Sequence, residues 1–134
     1  MAGMGRFDIS GFEKFGDDLK AMERAWPNFL KECVYELANR LLADTVMRTP
    51  VREGVLRRGW TIGQIAMTSG GAEIEVFNPV YYCPYVEYGH RTANHQGWVE
   101  GRFMMTLSVQ KLERELPAII ERKLERFIER HLGR

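Results

Sequence analysis

One apolar stripe limits the folds open to this chain more than any other feature. Phe12, Phe15, Leu19, Met22, Trp26, Leu30, Cys33, Leu37 and Leu41 follow one another at intervals of three and four. That spacing keeps one face of a helix apolar through about eight turns. A run of this length belongs to a coiled coil or to a long helix packed on another layer. The start is marked by Ser10-Gly11-Phe12-Glu13, which has capping-box spacing, and Arg6 to Ile9 before it reads as a short extended segment. Pro27 interrupts the stripe by removing a backbone donor and biasing Trp26 away from helix. We therefore expect a kink or a break there, with Pro27 as the first residue of a second helix. That second helix, Asn28 to Met47, should be roughly 30 Å long and should end before Thr49-Pro50.

Strand signals begin after Trp60. Ile62, Gln64, Ala66 and Thr68 alternate with Thr61, Gly63, Ile65 and Met67, consistent with a strand buried on both faces or lying at an edge. Ser69-Gly70-Gly71 is a turn, and Ala72, Ile74 and Val76 then alternate with water-facing Glu73 and Glu75. A β-hairpin from Trp60 to Phe77 follows. Val80 to Tyr88, broken by Cys83-Pro84, reads as extended chain followed by one irregular helical turn. His90 to Gly97 is polar and aperiodic, an exposed and mobile loop. Beyond Arg102 a second stripe, Phe103 to Leu132, runs among alternating charges, with Pro117 expected to kink or restart the helix. The fold class is α+β: long N-terminal and C-terminal helices packed on a small antiparallel sheet, in one domain over 1–134.

With 19 basic and 18 acidic side chains, the formal charge is +1, so the chain is not a globally basic nucleic-acid binder. No apolar run reaches the roughly 20 residues that span a bilayer, and the amino terminus has no signal pattern. An intracellular product without membrane contact is expected. Cys33 and Cys83 lie outside any CxxC spacing, and free thiols suit such a product.

Two segments carry the functional signal. Thr49 to Trp60 is an arginine-rich turn, and from Arg48 to Arg58 Arg48, Arg52, Arg57 and Arg58 are set against Glu53 alone. Tyr82 to Arg91, reading YCPYVEYGHR, is dense in aromatics and ends in glycine and two basic side chains. Cys83, His90 and His95 lack the close pairing and the fourth ligand of a structural zinc site, so no metal or other cofactor is assigned. Glu87 and Glu100 with His90 make no nucleophile-and-base arrangement, so an enzyme is not expected. Glu87 is instead a fixed anion for Arg57, Arg58 or Arg91. The arginine turn is either a solvated loop or an interface, since arginine, tyrosine and tryptophan are enriched at interfaces.

The ordered set of Thr-Pro-Val-x-x-Gly-x-Leu-Arg-Arg-x-Trp, a hairpin, Val76-Phe77-Asn78, Tyr-x-x-Tyr-Val-Glu-x-Gly-His-Arg and Gly101-Arg102-Phe103-Met104 resembles the minor tail-component family of long-tailed phages and prophages. These are also called tail-completion or head–tail joining proteins, and the similarity covers nearly the whole chain. Arg52-Glu53 stands where the family commonly has aspartate and threonine, and Cys83 where it has alanine. The resemblance implies assembly rather than catalysis. The expected place is the head-proximal end of a tail or phage-tail-like particle made in the bacterial cytoplasm, as a ring of six copies between the tail terminator or tube protein and the head connector. Arg52, Arg57, Arg58, Glu87, Tyr88, His90, Arg91, His95, Trp98 and Arg102 are the candidate contacts with neighbouring copies and partners. The alternative is a nucleic-acid-facing channel protein in which the same arginines make non-specific contact with DNA. We expect Tyr82, Tyr85 and Val86 to pack inward and Glu87 to Arg91 to lead outward.

Overall fold

The computed structural model describes residues 10–133. The extended segment expected over Arg6 to Ile9 lies outside them, and the capping geometry at Ser10 falls on their boundary. Helix α1 (Ser10–Arg48) is followed by a short α2 (Gly54–Gly59), strands β1 (Thr61–Ile62), β2 (Ala66–Thr68), β3 (Gly71–Glu73) and β4 (Val76–Phe77), then α3 (Cys83–Tyr88), β5 (Gly89–Arg91), β6 (Trp98–Glu100) and α4 (Met104–Leu132). This is the α+β arrangement expected.

Of the kink or break expected at Pro27 the break does not occur, since α1 runs through it, and α4 runs through Pro117 without the restart that was the alternative to a kink there. A proline costs a helix one hydrogen bond and some steric strain, about 3 kcal/mol in an isolated helix interior. Packing next to Pro27 offsets that cost. Trp26 and Phe29 close on Phe127 of α4, with ring centroids 5.6 and 4.4 Å away, and Cys33 joins the same buried cluster. Phe29 rather than Leu30 therefore carries the stripe into the core at this level. Farther along, Lys123 reaches Glu36 at 2.8 Å and Lys111 reaches Asp44 at 3.4 Å. Rising numbers on α4 meet falling numbers on α1, so the two helices are antiparallel.

The expected hairpin is present, but it is bent. β2 pairs with β3 and β1 with β4, both antiparallel. From the pair Ile62–Val76 to the pair Ala66–Glu73 the first arm advances one residue more than the second. That is a β-bulge, which locally resets which side chains point inward. Gly63 donates its N–H to Glu75 O at 2.8 Å in the β1–β4 register, so the extra residue falls just after it, at Gln64–Ile65. The alternation expected over Thr61 to Thr68 accordingly fails: Ile62 and Ile65 are half-buried, while Ala66, Met67 and Thr68 are all exposed. The inner side of the hairpin (Ala72, Ile74, Val76) borders an apolar groove with Leu37 and Leu41 of α1 and Leu112 of α4.

Phe127 is 1% exposed at the centre of the aromatic cluster, so Phe127→Ala should cost about 3–5 kcal/mol, read as a lower denaturation midpoint. The interhelical ion pairs add a pH dependence. Bonds from Lys123 and Arg40 hold the Glu36 carboxyl below its ordinary value, with burial opposing them only in part. At Asp44 burial opposes ionisation most, yet the Arg48 bond and the charges of Arg48 and Lys111 outweigh it and the carboxyl again lies low. A depressed folded value contributes stability above the unfolded carboxylate range that is lost as pH falls through the folded one. Thermal stability should therefore drop as pH falls below about 4.5, and Lys123→Met should flatten that slope.

Candidate functional site

The candidate site is built where α1 stops. Thr49 ends the helix by donating its N–H to the Thr45 and Val46 carbonyls, and its hydroxyl donates to Thr45 O at 2.8 Å. Trp60 Nε1 donates to Thr49 Oγ1 at 2.8 Å, closing the arginine turn at its base. Leu56 fills the interior beneath that turn with Trp60, Cys83 and Met104. On the far side Asn78 Nδ2 donates to Leu56 O at 2.7 Å. Gly59 passes so close to Asn78 that a Cβ there would strike its amide oxygen.

The arginines of the turn divide into two kinds. Arg57 is half-buried and donates Nε to Val46 O at 3.2 Å, satisfying a carbonyl at the end of α1. It serves the fold. Arg52 and Arg58 are exposed, and the Arg58 guanidinium lies back over Gly54.

The second segment is more helical than expected. Pro84 occupies the first turn of α3, where its missing N–H costs nothing. Cys83 and Glu87 are buried and Val86 is half-buried against the core. The opposite side presents Tyr85 and Tyr88, and Tyr81 just before the helix is exposed as well. Tyr85 thus faces out rather than in, while Tyr82 and Val86 pack inward as expected.

Among the described residues Glu87 is paired with no arginine. It is 4% exposed, and its carboxylate caps α4: Oε1 accepts the Met105 N–H at 3.0 Å, and Oε2 accepts the Thr106 N–H at 2.9 Å and the Thr106 hydroxyl at 2.8 Å. The N-terminus of a helix has unpaired donors and partial positive charge, and a carboxylate satisfies both. Alongside, Arg102 and Phe103 donate their N–H groups to the Val86 and Glu87 carbonyls at 2.8 and 3.0 Å. Phe103 takes a left-handed conformation (φ 50°) to turn the chain into α4.

The segment His90 to Gly97 is a structured hairpin tip instead of a loose loop. β5 pairs with β6, and the Thr92 hydroxyl, the Asn94 side chain and the Thr92 and Gly97 backbones bond to one another across the tip. His95 adopts φ 57° at its apex. At the root, Gly89 (φ 94°) passes so near β6 that a Cβ would lie 2.6 Å from Val99 O. His90, Arg91, Trp98 and Arg102 are exposed, with His90 Nδ1 2.8 Å from Arg91 O. Tyr88 meets Phe103 edge-on at 6.4 Å.

An open cleft of about 550 Å³ joins the two segments, lined by Glu53, Tyr82, Tyr85, Val86, His90 and Arg91. Of the expected contacts it gathers His90 and Arg91, whereas Arg52, Arg57, Arg58, His95, Trp98 and Arg102 lie outside it. Glu53 and Tyr85 are the residues that sequence reading missed. Pro84 held the missing signal, since a helix beginning at Cys83 sends positions 85 and 88 to the side opposite 83 and 87. Among the described residues no three His, Cys, Asp or Glu side chains gather to hold a metal ion, and no helix is long and apolar enough to cross a membrane.

Tyr81, Tyr85, Tyr88, Trp98 and Arg91 are thus exposed, side chains of the types enriched at protein interfaces. Residues 13–89 match the family model described as "Bacteriophage HK97-gp10, putative tail-component", which is more than half the chain. The chain belongs to this HK97 gp10-like family and is by that membership a structural component of a phage tail. The match runs from the first turn of α1 to the root of the β5–β6 hairpin. No curated protein and no solved structure matches the chain.

Glu87→Ala should leave two amide donors and a hydroxyl without their acceptor, at a cost of about 1–3 kcal/mol. Amide exchange at Met105 and Thr106 should accelerate first. Glu87→Gln, which keeps one acceptor oxygen, should fall between the two proteins.

Proposed function

We propose that this chain works at the head-proximal end of the tail, as a ring of like copies between the tail terminator or tube and the head connector. The exposed side chains of Tyr81, Tyr85, Tyr88, Arg91 and Trp98 carry this reading, with Tyr85 and Arg91 lining one cleft and Arg91 opposite Trp98 across β5–β6. Large aromatic side chains beside arginine are costly to leave in water and are what protein interfaces bury at their centres. Their supports are stiff: the α3–α4 junction is fixed by Glu87, and the hairpin tip is bonded to itself. Such a face loses little conformational entropy on docking. It sits on the part of the chain that matches the tail-component model and on the hairpin directly after it.

Tyr85→Ala combined with Arg91→Ala removes an aromatic and a cation from the cleft without touching the core. The variant should melt like the parent, yet phage carrying it should yield heads and tails that fail to join, seen by electron microscopy as a fall of at least tenfold in complete particles. Normal particle yield with a fully folded variant overturns the reading. The DNA-facing alternative expects a salt-sensitive gel shift lost with Arg52→Ala and Arg58→Ala, whereas the assembly reading expects none.

A further inference from the structure

Charge is laid out along this chain in blocks. From Gly59 to Gly89 there is no lysine, arginine or histidine, but there are three glutamates. Glu87 is buried in the cap of α4, so Glu73 and Glu75 are the exposed charges of that whole stretch. Both stand on the outer face of the hairpin that runs from β1 to β4. Ala72, Ile74 and Val76 border the groove against the helices, so Glu73, Glu75 and Phe77 point the other way. On the first arm Thr61 lies opposite Phe77 and Ala66 opposite Glu73, and these pairs share a face. A Cβ on Gly63 would lie 3.6 Å from the Phe77 ring, on that same face. The first arm thus offers only small side chains there. Two carboxylates and a phenyl ring that is 41% exposed stand above them. Among the described residues neither carboxylate has an ion-pair or hydrogen-bond partner.

The opposite charge lies on the arginine turn. Arg52 and Arg58 are exposed, and among the described residues neither has an ion-pair or hydrogen-bond partner. Val55 falls between them in sequence and Val51 beside Arg52, and these valines are 58% and 79% exposed. The two arginines do not turn toward the hairpin of their own chain. Arg58 folds back over Gly54, at the start of α2, and Arg52 precedes that start. The hairpin leaves from the other end, after Gly59. The two surfaces therefore match in kind while remaining apart within one chain: two carboxylates beside a phenyl ring, and two guanidinium groups beside two valines.

We propose that the outer face of the hairpin seats on the arginine turn of a second copy of this chain. Glu73 and Glu75 take the guanidinium groups of that turn, and Phe77 lies against its valines. Arginine meets a carboxylate through two parallel hydrogen bonds, which fixes direction as well as charge. Exposed ion pairs contribute little by themselves, so the charges select which surfaces meet and the apolar contact holds them. Used head to tail, the contact joins each copy to two neighbours, as a ring of like copies requires, and in this it rests on the reading above.

Sedimentation of the full chain from about 10 μM to about 1 mM at low salt should show the mean mass rising with concentration. Added salt, to about 1 M, should weaken the rise. Glu73→Arg with Glu75→Arg should abolish it, and so should Arg52→Glu with Arg58→Glu. Each variant should melt like the parent, because all four side chains are exposed. Mixed in equal amounts, the two variants should associate again. In the mixture the reversed hairpin meets the reversed turn, and the unaltered hairpin of one chain meets the unaltered turn of the other. A parent chain that stays monomeric, a reversal variant that associates like its parent, or a mixture that stays monomeric overturns the proposal. If that monomeric parent shifts duplex DNA at low salt and Arg52→Glu with Arg58→Glu removes the shift, the arginines belong to DNA instead. Sedimentation of the free chain judges this contact alone, whereas the joining of heads to tails judges the end-of-tail reading.

Discussion

Glu87 ties together α3, the root of the β5–β6 hairpin and the first turn of α4, and the face raised on these elements keeps its shape through that one buried carboxylate. Its two oxygens take three hydrogen bonds from Met105 and Thr106, while its own carbonyl takes the Phe103 N–H. Side chain and backbone are thereby spent on the same junction. Burying a charge is costly unless it is fully bonded, and a helix N-terminus is one of the few surroundings that meets the requirement without a cation. Gly89 and Gly101 allow the crossing. A side chain on Gly101 would run into the backbone of Glu87 and Tyr88.

The same carboxylate shows where sequence reading reached its limit. The stripes of both long helices and the hairpin were legible because periodic burial leaves a periodic pattern. Pro27 and Pro117 looked like interruptions, since local propensity weighs a missing donor heavily. Tertiary packing beside Pro27, through Trp26, Phe29 and Phe127, outweighs that local cost. The bulge just after Gly63 escaped because one extra residue shifts every later position to the other face, and alternation carries no mark of where the shift occurs.

The candidate surface was legible in composition and less so in placement. Arg57 and Arg58 are adjacent and chemically identical, yet one holds the end of α1 and the other faces water. Nothing in a single sequence distinguishes them, because the carbonyl that Arg57 satisfies lies eleven residues back. Glu87 read as a surface anion for want of any signal that a helix would start behind it. The polar run from Thr92 to Gly97 read as loose chain, although its threonine, asparagine and glycine are the residues that bond a tight tip together.

The length of α1 sets the distance between what happens at its two ends. Thirty-nine residues of unbroken helix measure roughly 58 Å, about twice the width of a small domain. The cleft lies toward the Arg48 end, and the exposed Phe12 and Phe15 toward the other. The helix thereby sets the two ends of the chain apart by a distance written in its residue count.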